Sequence, residues 1–167
     1  MMQDAQQLQP VLPLSQEARN FMMHTDDALQ QSQGFWLQLV KMDPMALQYA
    51  SEEFRQDKKV VMTAVRKCGT ALEYASPSLR EDVEVVKVAL KESQFAYDFI
   101  PEKLRQNKEV ALQAFKLYDI NLPKQLLNDK ETVLAAAESA GKVQKPCDKK
   151  KLQKMSLATL IAEYQLA

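Results

Sequence analysis

Glycine is nearly missing from this chain: Gly34, Gly69 and Gly141 are the three in 167 residues. So dispersed, they cannot build a glycine-rich loop whose backbone amides cradle phosphate. Histidine is scarcer still, with His24 alone, which rules out a metal site built on several imidazoles. The two cysteines, Cys68 and Cys147, form no CxxC pair, and two isolated thiols fit a reducing compartment better than a disulfide framework. Net charge is missing too. Lys plus Arg and Asp plus Glu both number 22, which argues against a dedicated nucleic-acid binder, whose affinity rests on a basic surface. No apolar run approaches the roughly 18 residues of a membrane span. The start "MMQDAQQLQPVLPLS" lacks the basic opening and apolar stretch of a signal peptide. A cytosolic setting is therefore expected.

What remains is the vocabulary of helices: 46% hydrophobic residues, 8 Met, and abundant Ala, Leu, Gln, Glu and Lys. The length suits a single domain, 1–167, able to bury about two-thirds of its unfolded surface.

The chain repeats itself. "ALQYAS" at 46–51 returns as "ALEYAS" at 71–76, and blocks 46–70 and 71–95 share ten identities, among them Tyr49/Tyr74, Arg55/Arg80, Asp57/Asp82 and Val60/Val85. Block 96–120 keeps Ala96, Arg105, Val110 and Ala114, and a shortened block, 121–142, repeats the Asp57-to-Gly69 spacing from Asp129 to Gly141. Upstream, Leu29, Ser32, Phe35, Leu39 and Val40 fall where Phe54, Asp57, Val60, Ala64 and Val65 fall, so a weaker copy covers about 21–45. Self-similarity at such a period, worn at both ends, marks a repeat architecture.

Each unit reads as two short helices. The first, "MALQYASEEF", sets Leu47, Ala50 and Phe54 on one face. The second starts after Asp57, Asp82, Asn107 or Asp129, all good N-caps, and carries a stripe such as Val60, Val61, Ala64 and Val65. Gly69 and Gly141 sit where a left-handed C-cap would end it. Helices this short are marginal alone in water and must lean on neighbours. Outside the repeats, "QPVLPL" (9–14) is expected to be extended and Ser15 to cap a helix reaching about residue 28. A linker over 142–148 precedes a terminal helix, 149–165, expected to fold back over the open end of the stack. The expected fold is all-α: an α-solenoid of short antiparallel helix pairs, about 25 residues per repeat, stacked right-handedly and closed by a C-terminal capping helix.

"ALEYASPSLREDVEVVKVAL" (71–90) and "ALQYASEEFRQDKKVVMTAV" (46–65) follow the pattern A-L-x-[YF]-A-S-x-x-L-R-x-D-x-E-V-V-x-x-A-V. That pattern resembles a bacterial helical-repeat family catalogued as domain of unknown function 4116, over about residues 45–141. The resemblance implies a bacterial cytoplasm or delivery into a host cell, as for Legionella-type effector-like proteins. No family-wide activity or catalytic residue comes with it.

Chemistry is sparse. A Cys68–His24 or Cys147–His24 dyad is conceivable, but Cys68 sits at a repeat-helix end and His24 aligns with Tyr49. The acid pairs Asp26–Asp27 and Glu52–Glu53 fall near helix termini. The column Tyr49, Tyr74, Phe99 fills a seam between units, or lines a partner face, or stacks on bases. The series Leu37, Met62, Lys87, Leu112, Leu134 completes the contact between units or forms a groove suited to a partner's helix, since Met adapts to varied shapes. Candidate partner-binding residues are thus Tyr49, Met62, Tyr74, Lys87, Phe99 and Leu112, with no catalytic residue, metal or cofactor. The expected function is a non-catalytic scaffold for a protein or peptide, as a regulatory module or effector. A small enzyme with a pocket between the repeats and the terminal helix is the alternative, as is binding of nucleic acid or an anionic surface by the basic segment 142–154.

Overall fold

The computed structural model describes residues 14–118, 120–139 and 156–164. Gly141, Cys147, the linker, the whole basic segment 142–154, the start of the expected terminal helix and all but Leu14 of "QPVLPL" lie outside the described residues. All regular structure described is helical: α1 (Gln16–Met23), α2 (Asp27–Gln30), α3 (Gln33–Met42), α4 (Glu52–Gln56), α5 (Lys58–Val65), α6 (Pro77–Arg80), α7 (Val83–Glu92), α8 (Glu102–Arg105), α9 (Lys108–Tyr118), α10 (Lys130–Ser139) and α11 (Leu157–Tyr164). Between them lie 3-10 turns at Pro44–Tyr49, Gly69–Tyr74, Gln94–Phe99 and Leu126–Asn128. Among the described residues no helix is long and apolar enough to cross a membrane.

The longer helices α3, α5, α7, α9 and α10 are the walls of the core, each packed against the next. They start where a side chain can accept the free amides of a first turn. Asp57 Oδ1 accepts from Lys59 N at 2.8 Å and Val60 N at 3.3 Å. Asp82 does the same for Glu84 and Val85 at 2.9 and 3.3 Å, and Asn107 for Glu109 and Val110 at 3.0 and 3.4 Å. The stripe that follows is buried in every long helix: Val60, Val61, Ala64 and Val65 are fully enclosed, as are Val85, Val86, Ala89 and Leu90. At about 1.5–3 kcal/mol per fully buried Val or Leu, this stripe outweighs any surface ion pair, worth about 0–1 kcal/mol.

The first half of each unit departs from expectation. "MALQYASEEF" is not one helix. It is a 3-10 turn, an extended joint and a one-turn helix, with Ala50 and Ser51 at ψ 147° and 162°. In the next two units the joint precedes a proline, Pro77 or Pro101, and the residue before proline is pushed out of the α region. Leu47, Ala50 and Phe54 are nonetheless all buried, so the apolar face survives the break. Gln94–Phe99 keeps the turn although the A-L-x-Y-A-S wording is gone, with Ala96 and Ile100 buried. There Arg105 locks the bend: its guanidinium donates to the Ile100 and Asp98 carbonyls at 2.8 and 2.9 Å and lies 4.9 Å over the Tyr97 ring.

Three further expectations are corrected. The helix capped by Ser15 stops at Met23, and a separate turn, α2, follows. Leu29, aligned with Phe54, is exposed, while Trp36 is buried, its ring 5.7 Å from that of Phe54 and its indole N–H bound to Gln30 O at 2.8 Å. Gly69 does not cap a helix in a left-handed conformation. It opens a 3-10 turn pressed against the next unit, where a Cβ would overlap the Ala89 carbonyl oxygen and come within 3.0 Å of Ser93 N. Glycine is needed for the close approach.

The core continues from Leu14 to Ala114 on one side of α9, while Ala111 and Phe115 on its other side join Leu122, Val133, Ala136 and Leu160. Helix α11 packs on α10 through Leu160, which is fully buried.

Two glycines give opposite outcomes in urea unfolding. Gly69→Ala lowers stability by about 1–3 kcal/mol through overpacking. Gly34→Ala, whose Cβ would meet nothing within 4 Å, leaves it unchanged or raises it by up to about 1 kcal/mol.

Candidate partner-binding face

Successive units are tied by a ladder of contacts from the start of one long helix to the cap of the next. Gln33 donates to Asp57. Lys58 Nζ bridges Asp82 and Glu84 at 2.9 and 2.6 Å, and Lys108 bridges Asp129 and Glu131 at 3.4 and 3.0 Å. In the remaining rung both ends change together: position 83 is Val and the facing cap is the neutral Asn107. There Lys87 and Glu109 pair instead, at 3.1 Å. Bonds to Glu84 and Asp82 raise the Lys58 ammonium above its ordinary value, and the bond from Lys58 leads the causes that hold Asp82 below its own.

The outer side of these helices is grooved. One groove of about 420 Å³ runs over α3 and α5, its apolar lining Leu37 and Met62 and its charged lining Lys41, Lys58, Lys59, Arg66 and Glu84 of α7. A second, of about 400 Å³, runs over α7, α9 and α10, lined by Lys91, Leu112, Gln113, Lys116, Leu117 and Ala135. Its ionisable lining is two lysines, a poor basis for acid–base chemistry.

The six candidate residues fall into two sets. Met62 and Leu112 line the two grooves, and Lys87 stands between them on α7, engaged with Glu109. Met62 is nearly enclosed, while Leu112 is half-buried. Tyr49, Tyr74 and Phe99 are elsewhere, at the ends of three 3-10 turns that pack on one another, half-buried against the main core. Burial first, then the adjacent Glu73 and Tyr49, pushes the Tyr74 hydroxyl pKa up. Cys68 and His24 have separate local partners: Cys68 Sγ lies 3.0 Å from Thr70 Oγ1, and His24 Nδ1 lies 2.7 Å from Asn20 O. Asp26, Asp27, Glu52 and Glu53 sit at the caps or first turns of α2 and α4, where acidic groups complement the helix dipole.

One row was missed. Lys41, Arg66, Lys91 and Lys116 recur at the same 25-residue offset, one turn beyond Leu37, Met62, Lys87 and Leu112. A comparison keyed to identities passes over a column in which one Arg stands among Lys; one keyed to charge would find it.

A capped long helix, a tight turn and a one-turn helix, recurring with the same buried positions, define an all-helical protein of repeated units. The family model described as Domain of unknown function (DUF4116) matches residues 34–80 and 82–123. The chain belongs to that family. No curated protein and no solved structure matches it.

Two outcomes follow from this geometry. Tyr74→Ala costs about 2 kcal/mol or more in thermal or urea unfolding if the ring is a packing element; unchanged stability would contradict its placement against the core. Asp82 contributes stability fully above its unfolded value near 3.8, and loses it as pH falls through the lowered folded value. Asp82→Asn, still a good cap, therefore flattens the acid limb of the stability–pH curve below about pH 4 relative to wild type.

Proposed function

We propose that the chain is a short α-solenoid of antiparallel helix pairs, acting as a non-catalytic scaffold that binds a protein or peptide partner on its long-helix face. The observation that supports this reading is the pair of surface grooves over successive long helices, floored by Leu37 and Met62 in one and by Leu112 and the 42%-exposed Leu117 in the other. Leu37 and Leu112 are half-buried, Leu117 is exposed and Met62 is nearly enclosed; apolar side chains left open to water in concave positions are what a partner covers. Repeated units suit this role, because each supplies the same contact positions on a surface that lengthens with unit number. The same surface serves a regulatory module or an effector equally.

The experiment is comparative capture from bacterial and host lysates with folded variants matched by thermal melting. Leu112→Glu/Leu117→Glu abolishes capture of partners bound by the wild type. Phe95→Glu, on a 3-10 turn and 61% exposed, retains them. The converse pattern would move the site off the long helices.

A further inference from the structure

Helices α3, α5, α7 and α9 are electrically unlike the segments that join them. Residues 33–42, 58–67, 83–92 and 108–118 carry nine cations against three anions, while the intervening 43–57, 68–82 and 93–107 carry four against nine. The neutral total hides a segregation by segment. Of the nine, Lys59 adjoins its own cap Asp57 and Lys67 donates to the Lys41 and Met42 carbonyls; the other seven divide in two. Those nearer helix starts, Lys58, Lys87 and Lys108, are neutralised by carboxylates of the following unit. Lys41, Arg66, Lys91 and Lys116 are exposed, and none has an ion pair or side-chain hydrogen bond among the described residues. Of the three anions on these helices, Glu84 and Glu109 are already engaged, leaving Glu92 beside Lys91. A cation near a helix C-terminus complements the dipole, but no carboxylate of the described residues forms an ion pair with any of the four.

Resting on the scaffold reading above, we propose that this face takes an acidic amphipathic helix lying across α3, α5, α7 and α9. Packed helices are about 8–10 Å apart, and seven residues of a helix advance about 10.5 Å. An acidic side chain at every seventh position therefore keeps step with Lys41, Arg66, Lys91 and Lys116. The partner's apolar stripe lies one turn away on Leu37, Met62 and Leu112. The interleaved apolar row favours a peptide over a polyphosphate backbone. No aromatic ring lines either groove, and base stacking would need one.

The test titrates a labelled 28-residue helical peptide, with Glu and Leu each recurring at every seventh position, by fluorescence anisotropy. A composition-matched scramble is the control. Three folded proteins are compared: wild type, the quadruple variant Lys41→Gln/Arg66→Gln/Lys91→Gln/Lys116→Gln, and the triple variant Lys58→Gln/Lys87→Gln/Lys108→Gln. Wild type binds the in-register peptide at least tenfold tighter than the scramble. The quadruple variant loses at least tenfold, and the triple variant less than threefold. Equal affinity for the scramble, or equal losses in both variants, overturns the proposal. So does tighter binding of inorganic polyphosphate or phosphatidylserine vesicles through the same four residues, or self-association through them. If lysate partners depend on Leu112 and Leu117 but survive the quadruple change, the acidic-helix assignment fails and the scaffold reading stands.

Discussion

Everything in this molecule depends on four side chains per long helix, at i, i+1, i+4 and i+5, being removed from water by the neighbouring unit. Helices of 8–11 residues cannot hold their own backbone bonds in water. They exist because Val60, Val61, Ala64 and Val65 and their counterparts are pressed against the next wall. The caps and the ladder of ion pairs set where each wall begins and how it faces its neighbour. Their individual energies are small beside the burial they align. Once the inner side of each helix is fixed in this way, the outer side is fixed too. The positions one face round, at 37, 62, 87 and 112 and at 41, 66, 91 and 116, fall into rows by the same periodicity.

The long helices were legible because their signals are local and agree with one another: a cap, then a 3.6-residue stripe, at a constant offset. The short halves were not. In "MALQYASEEF" the spacing of Leu47, Ala50 and Phe54 is that of a helix, and the burial it implies is real, but the backbone reaches it through a turn and an extended joint. Pro77 and Pro101 announce the break, whereas in 46–56 only Ser51 hints at it. Gly69 misled for a related reason. A glycine after a helix fits a left-handed cap, and the backbone of another unit that requires its missing side chain is 20 or more residues away. Ends of the array were harder still, since Leu29 aligns with the buried Phe54 yet is exposed.

Of the candidate face, the sequence reading reached the row of Leu37, Met62 and Leu112 but could not separate it from the ring column of Tyr49, Tyr74 and Phe99. Both recur at the same period. Telling them apart needs the path of the backbone, which puts the rings on the turns and the aliphatic row on the long helices. A balanced formal charge leaves open where the acids and bases lie; across 33–118 they alternate with the halves of the unit.

Gly69 carries one more implication. Its fit depends on Ala89 and Ser93 in the following unit, whereas the corresponding position is Pro44 in one neighbour and Gln94 in the other, with Tyr118 reaching back to Leu90 O at 2.6 Å where Ser93 would align. The modules are therefore keyed to their places rather than interchangeable bricks. Lengthening such a protein by copying a single module would break a lock whose two halves belong to different copies. A duplication that preserves the joint has to carry the adjoining pair together.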